Sequence, residues 1–256
     1  QLDVYFDGEY VGNVTTGDSG IFVYDLFIEK ETELGNHEVS VIFQGSYLYL
    51  SSNEEVSSEI LANTFFTTEP LEVFRLQEFN LSGYLVDDLG NPMPNQPINV
   101  TFRSSTHYLI TDSMGFVEKN ITLSSTHALG LHVAQWSYNG HEYYLPTSSS
   151  QSIIVTASTS ISLESEKAIV TVGDSFEFNG RIVDDMGNPL STNLNFLFHG
   201  QYVDTLITDS DGRFSYEYMI PHYTEAGSNT VTVQYVAEEF YLPSSSILML
   251  QVKHDI

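Results

Sequence analysis

The chain has 256 residues, of which 41% are hydrophobic and 13% aromatic, so it has enough apolar material for one to three packed domains. Its formal net charge of -26 disfavours nucleic acid and anionic membrane surfaces as partners, because like charges repel. The lack of cysteine excludes disulfides, zinc–thiolate sites and thiol catalysis, and no apolar run is long enough to suggest membrane insertion.

Near the start of the chain, residues 17–20 read Gly-Asp-Ser-Gly, which resembles the stretch that carries the nucleophilic serine of trypsin-like proteases. The same place is taken further on by residues 111–115 and 208–212, each with an alternating apolar run before and after it. Asp and Ser bond the local backbone in β-hairpin turns, and Gly supplies positive φ. No histidine in a protease-like context accompanies Ser19, so we predict a turn residue and not a nucleophile.

Internal repetition is the strongest signal in the sequence. "SGYLVDDLGNP" starts at residue 82 and "NGRIVDDMGNP" at residue 179, which is 97 positions later. The pairs "LITDSMG" with "LITDSDG" and "EYYLP" with "EFYLP" keep the same offset. The segment 2–22 aligns with 194–214. We therefore predict three copies of one domain, over 1–61, 62–157 and 158–256, called the first, second and third repeat below.

The first repeat begins part-way through the pattern. Leu2 aligns with Leu194, whereas the third repeat starts near Ser160, so about 34 residues and two strands have no counterpart. A sandwich without two strands exposes core residues and a sheet edge. Either the chain, which begins at Gln1, is a fragment of a longer array, or another molecule supplies the strands. We favour the fragment, because one donated strand could not replace two strands and their loop.

Seven short strands are predicted in the third repeat, with turn residues at each junction. They lie in 168–173, 175–183, 193–200, 201–208, 213–219, 229–236 and 246–253. Seven strands in about 97 residues, without helical periodicity, indicate an immunoglobulin-like sandwich. The fold class is therefore all-β, as tandem immunoglobulin-like β-sandwiches of which the first is truncated at its N-terminus.

The sixth strand alternates most regularly and identifies the expected core. Its inward column is predicted to hold Val231, Val233 and Tyr235, the aligned Ala134, Trp136 and Tyr138, and in the first repeat Val39, Val41 and Phe43. An alternative is that Trp136 and the many tyrosines form a face that stacks on sugars. The inward position favours packing in the core.

Acidic loops are expected to meet at one end of the third repeat, where the chain enters from the second. Hard cations such as Ca²⁺ bind six to eight oxygen atoms, so a calcium site is one hypothesis and solvated turns are the other. The candidate ligands are Asp184, Asp185, Asp209, Asp211, Glu238 and Glu239, with a sparser set in the second repeat of Asp87, Asp88, Asp112 and Glu142. No other cofactor is expected.

Four Asn-X-Ser/Thr sequons give candidate glycosylation sites at Asn13, Asn80, Asn99 and Asn120, which is about the number that this composition produces by chance. The histidines do not form a repeated ligand set, because His37 and His132 align with Asn229. No nucleotide-binding loop, zinc-protease motif or nucleophile elbow is present. The sequence therefore indicates no enzyme.

The repeated unit resembles the bacterial and archaeal immunoglobulin-like repeats of cell-surface proteins, of the invasin and intimin type. The motifs that carry the resemblance are "IVDDMGNPL", "TDSDGRF" and "VTVQY". The resemblance implies a fold and not an activity. It implies an extracellular or cell-surface location and a structural role in a stalk, filament or surface layer, or in an adhesin.

We therefore expect a non-enzymatic structural segment whose domains are chained by short linkers, near 58–63 and 156–160, into a rod. The expected partners are neighbouring domains of the same polypeptide or further copies of it. Two alternatives stay open: an adhesive module that binds a glycan or a protein, and an accessory segment of a larger secreted enzyme.

Overall fold

The computed structural model describes residues 1–125 and 127–254. These residues form strands and loops, which confirms the all-β class, and none of them belongs to a helix long and apolar enough to cross a membrane. The chain divides into two compact units. The first comprises Gln1–Glu69, Ser82–Lys119 and Ala134–Gln151, and the second comprises Pro70–Leu81, Asn120–Val133 and the residues from Ser152 onward.

The first repeat forms one antiparallel sheet in the order β2-β1-β3-β4. The strands are β1 Leu2–Phe6, β2 Glu9–Val14, β3 Gly35–Phe43 and β4 Ser52–Ile60. Residues 21–28, which align with the fifth strand predicted in the third repeat, do not form a strand. In the third repeat the matching strand pairs with residues 175–181, which have no counterpart in the first repeat, so residues 21–28 have no neighbouring strand to pair with. The first repeat is thus half of a sandwich.

The second repeat contains eight strands in two sheets, of orders β10-β7-β5 and β6-β12-β11-β8-β9. The strands are β5 Thr64–Thr67, β6 Leu71–Phe74, β7 Glu78–Asp87, β8 Pro97–Phe102, β9 Ser105–Ile110, β10 Phe116–Thr122, β11 Gly130–Tyr138 and β12 Thr147–Thr156. Within the first compact unit, Trp136 is fully buried beside Phe66, and its Nε1 donates a hydrogen bond to Gln151 Oε1 at 3.1 Å. Core packing of Trp136 is confirmed, and a role on a sugar-stacking face is wrong for this residue.

The third repeat has the same arrangement, in sheets of orders β13-β15-β18 and β14-β20-β19-β16-β17. Its strands are β13 Thr159–Glu164, β14 Ile169–Thr171, β15 Ser175–Asp184, β16 Asn193–Phe198, β17 Gln201–Ile207, β18 Arg213–Met219, β19 Gly227–Tyr235 and β20 Ser244–Lys253. Sequence reasoning missed β13, whose only apolar side chains are Ile161 and Leu163. It pairs antiparallel with β15, while β14 pairs parallel with β20. This is an immunoglobulin-like sandwich.

The predicted inward column shows how the repeats differ. Val231, Val233 and Tyr235 are buried, as are the aligned side chains of the second repeat, where Ala134 is fully enclosed. Their counterparts in the first repeat, Val39, Val41 and Phe43, are only half-buried. The same strand pattern therefore forms a closed core only where a second sheet covers it.

The turns with Asp and Gly connect the two sheets of a sandwich and not two strands of one hairpin, because β17 and β18 belong to different sheets. Asp209 N donates to Arg213 O at 2.9 Å and Gly212 N to Asp209 O at 3.0 Å. In the first repeat Gly17 N donates to Ile21 O at 2.9 Å in the same way. Ser19 lies exposed inside this turn, so the prediction of a turn residue is confirmed.

Candidate functional site

Two adjacent carboxylates, Asp184 and Asp185, stand at the end of β15. Asp184 Oδ1 accepts hydrogen bonds from the backbone N–H groups of Met186 and Asn188, at 2.9 and 2.8 Å. Its Oδ2 accepts from Asn188 Nδ2 at 3.1 Å. The sequence folds locally in this way because an Asp at the start of a turn satisfies the N–H groups that follow it.

The cation beside these carboxylates is an arginine. Arg75 follows β6 and lies in the second compact unit together with Asp184 and Asp185. Its Nη2 donates to Asp184 Oδ2 at 2.8 Å and also contacts Asp185 Oδ1, to which Nε donates at 3.1 Å. The side chains of Arg75, Asp184 and Asp185 are 8%, 2% and 12% exposed. The geometry is that of a forked guanidinium closing on two carboxylates, which is stronger than a single-point contact.

Electrostatics at this clamp favour the charged forms. Burial opposes the ionisation of Asp184, but bonds from Arg75, from Asn188 and from the Met186 N–H keep the pKa of Asp184 below its ordinary value. The hydrogen bond to Asp185 and then that to Asp184 raise the pKa of Arg75, although burial acts against them. We name this set, Arg75 with Asp184 and Asp185, the arginine clamp.

The predicted acidic loops do meet at one end of the third repeat. Thr192 joins them, because its Oγ1 donates to Glu238 Oε2 at 3.1 Å and its N–H donates to Thr208 Oγ1 at 2.7 Å. Asp209 Oδ1 accepts from the backbone N–H groups of Asp211 and Arg213, at 2.9 and 2.8 Å. The acidic side chains are thus largely engaged in turns and loop contacts.

The arrangement offers no ready calcium ligand set. Among residues 1–125 and 127–254, no three His, Asp or Glu side chains are grouped so that they could hold a metal ion. Glu239 lies exposed in a turn at positive φ, 51°, as does the matching Glu142. A calcium site here stays a prediction, and it requires calcium to raise the melting temperature while magnesium does so much less.

In the second repeat, Asp87 organises the same turn as Asp184. Asp87 Oδ1 accepts from the N–H groups of Leu89 and Asn91, at 3.0 and 2.7 Å. Asp88 Oδ2 accepts from Asn63 N at 3.2 Å, and Asp112 Oδ1 accepts from Met114 N at 2.8 Å. These candidate ligands therefore serve the local backbone.

The four sequon asparagines all lie on strands. Asn13, Asn80 and Asn120 are exposed, whereas Asn99 is half-buried. Asn120 Nδ2 donates to Glu78 Oε2 at 3.0 Å, and Asn13 Nδ2 donates to Tyr10 Oη at 3.0 Å. Glycosylation at these positions stays a prediction.

The aligned positions His37, His132 and Asn229 have a shared structural role that the sequence did not reveal. Each side chain bonds the carbonyl oxygen four residues earlier, with His37 Nε2 2.7 Å from Glu33 O, His132 Nε2 2.8 Å from Ala128 O, and Asn229 Nδ2 3.2 Å from Glu225 O. The side chain at this position therefore bridges the loop that leads into the sixth predicted strand. An amide can replace imidazole here because both provide an N–H donor.

His37 has a second hydrogen-bond partner, the carboxylate of Asp7. Its Nδ1 lies 2.6 Å from Asp7 Oδ2. Carbonyl and carboxylate oxygens only accept, so this pair of contacts favours the doubly protonated, positively charged ring. The hydrogen bond to Asp7 and then that to Glu33 raise the pKa of His37 above its ordinary value.

The connections between repeats are shorter than predicted. Only residues 61–63 separate β4 from β5, and only residues 157–158 separate β12 from β13. Ala157 N donates to Phe240 O at 2.9 Å, and Leu242 N donates to Ala157 O at 2.9 Å. Ala62 makes the matching pair of bonds with Tyr143 and Leu145, and both alanines are buried. Each linker is thus hydrogen-bonded into the repeat that follows it.

One pocket of about 530 Å³ lies on the third repeat, between the end of β16 and the loop before β19. Three tyrosines line it, namely Tyr202, Tyr218 and Tyr223. Sequence reasoning did not find this pocket. A signal was available, because strand pairing places Thr106 of the second repeat where the third has Tyr202, and the 97-residue offset places Ile121 where it has Tyr218.

No protein-family model matches the chain. No curated protein matches it either. Among solved structures, it is similar to fibronectin(III)-like modules of Clostridium thermocellum CbhA, at 13% identity and a TM-score of 0.36, over 74% of this chain and 95% of that one. It is also similar to a three-domain immunoglobulin fragment of titin, at 8% identity and a TM-score of 0.44, over 100% and 88%.

A third solved structure is FdeC, an Escherichia coli adhesin, at 14% identity and a TM-score of 0.39, over 86% of this chain and 74% of that one. At such identities and scores, the strand order of the chain itself defines its fold.

Proposed function

We propose that the chain is a non-enzymatic structural segment of a cell-surface protein, of the invasin and intimin type, in which consecutive immunoglobulin-like repeats transmit mechanical load. The observation that carries this proposal is the linker. Ala157 is fully buried, and backbone hydrogen bonds hold it on both sides within the third repeat. A linker of this kind cannot act as a swivel without breaking those bonds.

The arginine clamp supports the same role. Arg75 comes from the second repeat and its acceptors from the third, so the clamp adds a buried ionic contact to the covalent linker. Buried charge pairs contribute modestly to net stability, but they penalise arrangements in which one charge loses its partner. We therefore assign the clamp a role in fixing one orientation of the residues that it joins.

We further propose an extracellular location, with neighbouring repeats of the same polypeptide or further copies as partners. The absence of cysteine does not oppose such a location, because domains of about a hundred residues bury enough surface without disulfides. The net charge of -26 keeps such an array soluble.

Backbone ¹⁵N relaxation of residues 157–158 tests the proposal. If the linker transmits load, its order parameters should match those of β12 and β13, at about 0.85. A variant with four Gly-Ser residues inserted after Ser158 provides the flexible control. Values below about 0.6 in the unmodified chain would show a swivel and overturn the proposal.

A further inference from the structure

The pocket on the third repeat combines aromatic walls with polar groups. Tyr223 is 88% exposed and Tyr202 is 60% exposed, so two aromatic faces are available to a ligand. Tyr218 forms the inner wall, where it packs on Phe198 with ring centroids 5.2 Å apart. The volume, about 530 Å³, lies within the range of small-molecule sites in proteins.

A buried hydroxyl without a partner lies in the lining of this pocket. Thr224 is 7% exposed, and within the described residues its Oγ1 is the only buried side-chain polar atom without a hydrogen bond. Its backbone is fixed, because Thr224 N donates to Pro221 O at 3.0 Å and Thr224 O lies 2.9 Å from His254 Nε2. A buried hydroxyl without a partner is destabilising, and such groups commonly mark a place that a ligand or water completes.

We propose that this pocket binds a neutral saccharide. The C–H faces of sugar rings stack on tyrosine faces, and a rotation of the enclosed Thr224 side chain toward the pocket would let its Oγ1 bond a sugar hydroxyl. Gln201 and Glu225 supply further polar groups at the rim. An anionic ligand would be repelled by Glu225 and by the net charge of the chain. A quaternary ammonium ion could sit among the tyrosines but would leave the Thr224 hydroxyl unpaired.

Of the two complete repeats, only the third carries this set of tyrosines. With Thr106 and Ile121 at two of the three tyrosine positions, the second repeat has no matching set of aromatic faces. The aromatic set is therefore not required by the fold, which forms without it in the second repeat. This inference goes beyond the structural role proposed above and does not depend on it.

Saturation-transfer difference NMR and titration calorimetry on the whole chain test the proposal. The probes are five neutral disaccharides: cellobiose, maltose, lactose, mannobiose and diacetylchitobiose. Tetramethylammonium serves as the cationic probe. We expect at least one disaccharide to bind with a dissociation constant below about 10 mM, and tetramethylammonium to bind more weakly.

Two variants separate the pocket from the rest of the surface. Tyr223→Ala removes an exposed wall and should weaken binding about 10-fold. Thr224→Val keeps the shape but removes the hydroxyl, and should weaken binding about 3- to 10-fold. Because Oγ1 has no partner, Thr224→Val should leave the melting temperature unchanged or raise it. Tyr108→Ala, at a tyrosine that is 81% exposed on β9, is the matched control and should bind like the unmodified chain.

Three results would overturn the proposal. The first is that none of the five disaccharides binds at about 10 mM. The second is that binding survives unchanged in both Tyr223→Ala and Thr224→Val, which would place it elsewhere. The third is that tetramethylammonium binds more tightly than every disaccharide, which would assign the tyrosines to a cation.

Discussion

Replacing Arg75 with Met tests the arginine clamp most directly. Methionine keeps most of the apolar stem of arginine, so the change removes the charge and the hydrogen bonds while disturbing packing little. Asp184, whose side chain is 2% exposed, would then be a buried carboxylate without its cation. Asp185, at 12% exposure, has more freedom to turn toward water.

The expected loss follows from this burial. Removing one partner of a buried ion pair costs about 3–5 kcal/mol. Asp184 keeps its bonds from Met186 and Asn188, so we expect the lower end of that range, about 3 kcal/mol. For domains of this size such a loss lowers the melting temperature by about 10 °C or more.

Calorimetry, combined with amide exchange in β15 and β20, measures the effect. Trp136 fluorescence reports the unfolding of the second repeat separately, because this residue belongs to that repeat and is the only tryptophan in the chain. Arg213→Met is the matched control, since it removes the same charge from an exposed position on β18. It should change stability by less than about 0.5 kcal/mol.

Lowering the pH should reduce the difference in free energy of unfolding between the unmodified chain and Arg75→Met. The pKa of Asp184 is lowered from 3.8 in the folded chain, so its stabilising contribution is complete above about pH 4 and is lost as the pH falls through the lowered value. A cost below about 1 kcal/mol at pH 7, or an equal cost for Arg213→Met, would show that the clamp is not a buried ionic contact.

Three further predictions follow from the same structure. Gly180→Ala should cost about 3 kcal/mol in thermal or urea unfolding, because its Cβ would collide with the Ser162 carbonyl oxygen; a cost below about 1 kcal/mol would contradict this close approach. Since the bond to Asp7 raises the pKa of His37, amide protection of residues 33–37 should be complete below about pH 6.5 and fall as the pH rises through the raised value. His37→Asn should abolish that dependence, and its persistence in the variant would exclude His37 as its source. Amides of β3 should exchange at least about 100-fold faster than those of β19, because only β19 has a second sheet over it, and equal rates would refute the half-sandwich.

The fold could be predicted because its main signals are local and recur. Alternation along the sixth strand identified Val231 and Trp136 as core residues, and the matching turns identified Ser19 as a turn residue. The strand β13 was missed because Ile161 and Leu163 alone break a polar run. The loss of the strand over residues 21–28 was also missed, since pairing with an absent partner is not visible in a local pattern.

Asp184 and Asp185 could be identified as candidate site residues because they recur as Asp87 and Asp88, whereas Arg75 and the tyrosine pocket could not be predicted because those residues depart from the repeat. Arg75 stands where the third repeat has Val172, and its acceptors lie 109 and 110 positions away. Tyr202 stands where the second repeat has Thr106, and contributes to a pocket that no motif describes. In a duplicated chain, agreement between copies identifies what folding requires. The isolated differences at Arg75 and Tyr202 instead coincide with the arginine clamp and with the pocket on the third repeat.

The position of Ala157 also restricts where residues can be inserted into or deleted from such a chain. Successive side chains of a strand face opposite sides, so one extra residue between β12 and β13 would exchange the inner and outer faces of β13. In this region the third repeat is two residues longer than the second, and the extra residues lie between β13 and β14. Thr159 matches Thr64 at an offset of 95, whereas Val170 matches Val73 at an offset of 97. Between the second and third repeats, this difference in length therefore lies in a loop inside the domain, while the spacing from the linker alanine to the first strand stays the same.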